Sequence, residues 1–396
     1  MKAVHQVLHG VDLESDTFFE LCKIDLKAVS PGTTRIITPK EVYKHVLKLD
    51  EHDQARLEYL ATRIVGLASE VGQRVMSDLS HNTTSNPYDN ALRLLAANES
   101  DFRKAEEIRY VEYHRHHGRM WDGYYLTAPV PLDKDVDLAD FVQKLRAHFN
   151  NDKLVVRRQK RQRHSEHHAL VTVLQFIIYR EGLPVSFEVL DEEGKDVILE
   201  TIHPAREYAV TYEPETGIIE LYADQKVIRD VLKQTFCESV LDQEDSPEKL
   251  KLRPVNLEIF RQRPNFEDSF ELKFGIKEAV VKEIDTQVSP GQGITVYKAT
   301  PRKAFRSDAY QNLDDNGVSL EDSRKYKIRS VTLAFHCEAT DDLPEETIVV
   351  RLSAPNSCSL RDLSQRERYL NHDLLVQMGI LLEDKDKDKG NEARSV

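Results

Sequence analysis

Apolar residues recur three or four positions apart over the first third of the chain, which is the spacing of helices with one buried face. The pattern predicts four helices, over about 39–49, 52–79, 88–97 and 100–113. Thr38 and Glu41 stand where a capping box would begin the first of them. The longest helix carries an apolar stripe at Leu57, Leu60, Ile64, Leu67, Val71, Val75 and Leu79. We predict that the stripe is the core of a helical domain over 39–120, with a dimer seam as the alternative.

Short apolar runs separated by glycine, proline and acidic turns follow between residues 121 and 241. They predict strands over about 124–130, 153–163, 170–179, 184–190, 196–202, 206–212 and 218–223. Two amphipathic patterns, over 137–149 and 224–240, predict helices. Because short turns join the successive strands, we predict a central α/β domain built as an antiparallel meander with helices on one side.

Alternating apolar positions resume after a polar, acidic stretch at 242–251, which we predict to be a linker. They predict a β-rich domain over 252–382 with a closing helix. The charged residues 383–396 have nothing to bury and predict a disordered tail, and 1–38 are expected to form an irregular N-terminal segment. The predicted fold class is α+β: a helical N-terminal unit, a central antiparallel α/β meander and a C-terminal β-rich domain.

The composition is typical of a soluble globular protein, with 40% hydrophobic and 31% charged residues in 396. The longest apolar run, Ala169–Ile178, is far shorter than the ~20 residues that a bilayer requires, so no membrane contact is expected. The early acids and the absence of a continuous apolar run argue against a signal peptide at the amino terminus. Four widely spaced cysteines without a C-x-x-C pair indicate reduced thiols, and we expect a cytoplasmic protein.

One stretch combines a strongly basic segment with the most apolar run of the chain. The segment from Lys153 to Arg163 contains six cations and no acid: Lys153, Arg157, Arg158, Lys160, Arg161 and Arg163. It leads into Ala169–Ile178, which has to be buried, so the cations are held beside a core. In a strand, Arg157, Arg161 and Arg163 would share one face, opposite Arg158 and Lys160.

Closely spaced arginines suit phosphate recognition, because each guanidinium presents a planar fork of donors. The net charge of −13 confines any contact with a polyanion to a local patch. The sequence therefore predicts that the six cations bind nucleic acid, DNA or RNA, with Arg119 and Trp121 from the aromatic stretch 110–125 as auxiliaries. The alternative is a hairpin surface whose charges meet nearby acids such as Asp191, Glu192 and Glu193.

Other chemistry receives weaker support from the sequence. Two histidine groups, His114, His116 and His117, then His164, His167 and His168, match no zinc motif, so no metal or cofactor is expected. Asp224 and Lys226 follow a predicted strand and form an acid-x-Lys pair, as in metal-dependent nucleases. Four acids are candidate partners for that pair: Glu188, Asp196, Glu207 and Glu220.

We therefore predict a non-enzymatic recognition subunit that contacts nucleic acid through the basic segment and protein partners through its helical and acidic faces. A protein–protein scaffold or regulatory subunit without nucleic-acid contact is the first alternative. A divalent-metal nuclease is the second. The oligomeric state is left open.

Overall fold

The computed structural model describes residues 1–13, 18–19, 24, 38–79, 81, 84–115, 120–132, 136–164, 170–191, 194–243, 246–266, 269–288, 293–299, 308–340, 343–360 and 364–382. The chain divides into two compact units, Met1–Leu250 and Lys251–Val396. The division lies inside the stretch 242–251, where the composition is polar and acidic.

The first unit begins with a layer of helices: α1 Lys2–Gly10, α2 Pro39–Val46, α3 Glu51–Ala68, α4 Glu70–Asp78, α5 Pro87–Ala97 and α6 Glu99–His114. Side chains cap most of these helices. Thr38 and Glu41 form the predicted capping box, and Asn98 accepts hydrogen bonds from the first amides of α6. Five of the seven apolar residues of the long stripe are buried, and Leu60 and Leu79 are partly exposed, which fits the core interpretation.

Two helical details differ from the sequence predictions. Residues 2–10 form α1 in place of the irregular segment expected over 1–38, because Val4, Val7 and Leu8 share one buried face. The predicted helix 52–79 is divided into α3 and α4 at Ser69, whose extended backbone ends one helix and whose hydroxyl caps the next. The apolar spacing continues through the division, which is why periodicity alone did not reveal it.

An antiparallel sheet of six strands forms the second layer of this unit, in the order β2-β3-β6-β7-β1-β8. The strands are β1 Trp121–Tyr125, β2 Leu154–His164, β3 Leu170–Glu181, β6 Ala205–Glu213, β7 Ile218–Tyr222 and β8 Glu248–Lys249. β4 Val185–Leu190 and β5 Val197–Ile202, which lie between β3 and β6 along the chain, form a separate two-stranded sheet.

Helices cover both faces of the six-stranded sheet. Helices α7 Ala139–Phe149 and α8 Lys226–Ser239 pack on one face, around a core that contains Phe141, Phe176 and Phe236. The other face contacts α6 of the helical layer through polar side chains. β3 is consequently buried on both faces, which explains its continuous apolar sequence.

The second unit contains an antiparallel sheet in the order β10-β9-β11-β12-β13. Its elements are β9 Ile276–Gln287, β10 Ile294–Lys298, α9 Ala309–Asp315, β11 Lys327–Cys337, β12 Glu346–Ser353, β13 Ser357–Cys358 and α10 Gln365–Tyr369. Short 3-10 turns lie at Leu257–Arg261 and Leu272–Phe274, and α10 continues through a π turn, Leu370–Leu374, and a last α turn, Leu375–Gln377. Phe260, Phe335 and Leu370 are buried in one core between the sheet and these helical segments.

The predicted fold class is confirmed, since helices and antiparallel sheets are combined and a helix closes the β-rich C-terminal part. Among the described residues, no helix has the length and apolarity that crossing a membrane requires. The predicted tail, 383–396, lies outside the described residues.

Candidate functional site

The basic segment forms β2, an outer strand of the six-stranded sheet that pairs with β3 over its whole length. Strand alternation directs its cations to opposite faces, as the sequence predicts. Arg157, Arg161 and Arg163 face the helical layer, where they contact acids of α6 or of the sheet. Arg158 faces the side of α7 and donates to the carbonyl oxygen of Val136 at 3.2 Å.

The end of β2 enters a buried network of charges. Arg163 is 3% exposed, its Nη1 lies 2.7 Å from Glu220 Oε2, and its Nη2 donates to Glu213. Arg161 donates to Glu112 Oε1 at 2.5 Å and to Gln175 Oε1 at 3.0 Å. These guanidiniums are therefore held by protein carboxylates in the interior, where phosphates cannot replace those carboxylates without rearrangement.

Glu220 receives several donors at once, although it is fully buried. Arg115 Nε donates to its Oε1 at 3.1 Å, and the hydroxyls of Thr211 and Tyr222 donate to its Oε2 at 3.0 and 3.2 Å. With Arg163 beside it, the carboxylate has both charge partners and hydrogen-bond donors. A buried carboxylate in such surroundings is stabilised as the anion.

Glu112 connects α6 to the same network. Burial would raise the pKa of its carboxyl, but the positive charges of Arg161 and Arg163 outweigh this and lower the pKa to about 2. Arg115 and Arg74 lower it further, and Arg74 Nη2 lies 3.7 Å from Glu112 Oε2. The charge network therefore joins the helical layer to the sheet through Glu112, whose carboxylate remains ionised at neutral pH.

Glu107, one helical turn and a half before Glu112, makes the second contact between α6 and the sheet. Its Oε1 accepts from Tyr179 at 2.9 Å and from Arg157 Nη1 at 3.1 Å, while its backbone carbonyl accepts from Gln175 Nε2 at 3.1 Å. The guanidinium of Arg157 also lies 5.5 Å from the centre of the Tyr179 ring. Arg157 is half-exposed, so it has one side in solvent and one side in this contact.

The remaining predicted cations are dispersed. Lys153 lies near the start of β2 and forms an ion pair of 2.7 Å with Glu181, while Lys160 is exposed on the opposite side of β2 from Arg157. Trp121 is buried at the start of β1, three strands away from β3 in the sheet, with its ring against Gly123. Arg119 lies outside the described residues. The predicted nucleic-acid residues thus do not form one continuous cationic surface among those described.

Two acids of the nuclease hypothesis, Glu207 and Asp224, lie near the hydroxyl of Tyr110, whose pKa is raised by burial and then by their negative charges. The other residues of that hypothesis are separated. Asp224 and Lys226 are exposed at the turn from β7 to α8, whereas Glu220 is buried in the charge network. Glu188 and Asp196 belong to the separate sheet of β4 and β5 or its turn. Among the described residues, one group of three potential metal ligands meets within 4.8 Å, Asp50, His52 and Asp53, at the start of α3. Five of the six clustered histidines have side chains outside the described residues.

Sequence reasoning missed the acids that hold the arginines: Glu107, Glu112, Glu213 and Glu220. Two of them lie on α6, roughly fifty positions before β2, so no local spacing connects them to it. A signal was present, however, because Glu220 stands among apolar residues of a predicted strand. A carboxylate in a two-sided buried strand requires an internal cation.

The sequence also did not predict that the two-stranded sheet of β4 and β5 exposes apolar side chains. We call it the arm, defined as residues 183–191 and 194–203. Among the described residues, its two strands pair only with each other, and most of its large apolar side chains are exposed. The exposed set is Leu183, Val185, Phe187, Leu190, Val197, Ile198, Leu199 and Ile202. So many exposed apolar side chains on one hairpin of a folded protein indicate an interaction site.

No family model matches the chain, and no curated protein matches its sequence.

Proposed function

We propose that this chain is a non-enzymatic protein-binding subunit that engages a partner polypeptide through the arm. This is the protein–protein scaffold that the sequence offers as an alternative, with the arm as its binding surface. The observation that carries it is the exposure of eight large apolar side chains on a hairpin that has no third strand among the described residues. An isolated two-stranded hairpin is marginally stable in water, so a binding partner would supply the apolar contact that it lacks.

The ion pairs of β2 support this proposal over nucleic-acid binding. A cation that binds phosphate has to be accessible, and Arg161 and Arg163 are buried against carboxylates. Lys153 and Arg157 have carboxylate partners as well, at 2.7 and 3.1 Å. Nucleic-acid contact would therefore have to compete with pairs that already exist, at the cost of separating them.

The test is a photo-crosslinker placed at Phe187, in the middle of the arm, in the full chain expressed in cells. We expect one defined polypeptide to be crosslinked and identified by mass spectrometry, and purified components to reproduce the adduct. The same crosslinker at Lys160, an exposed position on β2, is the control and should give no adduct. Absence of any reproducible adduct at Phe187 would remove the proposal.

A gel-shift series with single- and double-stranded DNA and RNA, over a range of salt concentrations, distinguishes the competing function. If the chain binds protein and not nucleic acid, we expect no salt-sensitive mobility shift of the nucleic acid that depends on the exposed cation Lys160 or the half-exposed Arg157. A specific shift that Arg157→Glu abolishes, while Phe187→Ser leaves it intact, would favour nucleic-acid recognition instead.

A further inference from the structure

We propose that the partner of the arm is the arm of a second copy of this chain, packed face to face and antiparallel about a two-fold axis. This inference rests on the proposed function, because it names the occupant of the same surface. It follows from three features of the arm: one face is almost entirely apolar, its tip is acidic, and cations lie at its base.

The two faces of the arm differ in polarity. Cross-strand partners share a face, and the pairs Val185–Ile202, Phe187–Glu200 and Val189–Ile198 place five apolar residues and one acid on the first face. The second face is mixed, with three polar residues, Ser186, Glu188 and Thr201, and three exposed apolar ones, Leu190, Val197 and Leu199. The hydroxyls of Ser186 and Thr201 bond each other at 2.9 Å on that second face, as suits a solvated surface. The first face has five apolar residues of six, against three of six on the second, and is therefore the docking face.

The charge of the arm excludes two other classes of partner. Residues 183–203 include six acids and one lysine: Glu188, Asp191, Glu192, Glu193, Asp196 and Glu200, with Lys195. A hairpin with this charge is repelled by nucleic acid and by anionic lipid surfaces. The apolar face needs a partner that is apolar in the middle and cationic at one end.

The arm itself supplies that partner. The turn segment 191–196, DEEGKD, is acidic, whereas Arg180 and Arg206 lie where the arm leaves the sheet, beside Lys153, which is already paired with Glu181. The base is fixed there by the pairing of Arg180 with Arg206 across β3 and β6 and by the bond from Gly182 N to Pro204 O at 2.8 Å. Antiparallel packing of two arms places each acidic tip over the cationic base of the other. An isologous two-fold interface requires this kind of self-complementarity.

The proposed packing makes Phe187 and Glu200 the diagnostic positions, because they form the central row of the docking face. In an antiparallel pair, each central row meets its own copy. The two Phe187 rings therefore meet in the middle of the interface, and the two Glu200 carboxylates face each other across it. The first contact stabilises the dimer and the second weakens it.

Sedimentation equilibrium of the full chain, over concentrations from about 0.1 to about 50 µM, tests the proposal. We expect a monomer–dimer equilibrium in which Phe187→Ser raises the dissociation constant at least about tenfold and Glu200→Gln lowers it several-fold. The matched control is Leu199→Ser, which removes from the opposite face a leucine that is more exposed than Phe187 (68% against 49%) and should leave the constant unchanged. Arg206→Glu at the base should weaken the dimer, and adding Asp196→Lys at the tip should restore part of the loss. Circular dichroism checks that each variant is folded.

Three outcomes would overturn the second copy as occupant: a monomer at all concentrations, a dimer that Phe187→Ser does not weaken, or equal weakening by Leu199→Ser. The crosslinker at Phe187 separates this failure from failure of the proposed function. An adduct with a different polypeptide would keep the protein-binding function and discard self-association. No adduct at all would discard both.

Discussion

At the scale of single residues, the arginines of β2 act as internal counter-charges. Arg163 lies between Glu213 and Glu220 with almost no contact with solvent, and each of these acids has a further donor of its own. These ion pairs are important to the fold even if apolar residues at the same positions would stabilise it equally well. Removing one member leaves charges buried without compensation, and that is the costly event.

We predict that Arg163→Met lowers the free energy of unfolding of the first unit by about 3–5 kcal/mol, because two buried carboxylates lose a cation. Lys160→Met is the matched control, since it makes the same type of change at an exposed position three residues earlier on β2 and should cost less than about 0.5 kcal/mol. Urea unfolding followed by fluorescence measures both. Equal effects in the two variants would contradict the internal role of Arg163.

Glu207 gives a second prediction, this time of pH dependence. Burial, and then the negative charge of Glu107, raise the pKa of the Glu207 carboxyl from 4.5 to about 7. The folded protein therefore holds this proton more tightly than the unfolded chain. Stability is lost as the pH rises from about 4.5 to about 7, where the unfolded chain ionises first, and the loss is complete above that window.

Glu207→Gln keeps the shape of the side chain and removes the charge. It should raise the melting temperature at about pH 8 and leave it nearly unchanged at about pH 4, because only the ionised carboxylate destabilises the fold. Glu215→Gln, another single-acid change in the turn between β6 and β7, controls for the general effect of removing a negative charge. A gain of equal size at both pH values would refute the raised pKa.

At the scale of elements, the sequence predicts which face of a strand a side chain lies on, but it does not predict which residues that side chain contacts. Alternation in β2 correctly separates Arg157, Arg161 and Arg163 from Arg158. Their acidic partners on α6 could not be predicted, because helix–sheet contacts depend on tertiary packing and leave no local period in the sequence. The division of the long helix at Ser69 was hidden for the opposite reason, since the apolar spacing runs on through it.

The arm shows the same limit. Both of its strands were predicted from apolar runs between turn residues, at nearly the observed bounds. An apolar run has the same composition whether a core or a partner covers it, so exposure could not be predicted. Only the arrangement of strands shows that β3 is covered on both faces while β4 and β5 are not.

At the scale of the whole molecule, a protein with a net charge of −13 contains a cationic strand because the buried arginines of that strand pair with internal carboxylates. The first unit uses its arginines to join a helical layer to a sheet, and presents apolar surface on the arm. The second unit has its own core and its own antiparallel sheet. We therefore assign binding to the arm and structural stability to β2.

Hydrogen exchange of the full chain, measured by mass spectrometry at about 0.5 µM and about 50 µM, tests that assignment most directly. Amides of β4 and β5 should exchange within seconds in the dilute sample and become protected in the concentrated one, while those of β2 and β3 stay protected in both. Fast exchange of the arm at both concentrations, together with concentration-dependent protection appearing along β2, would contradict the account.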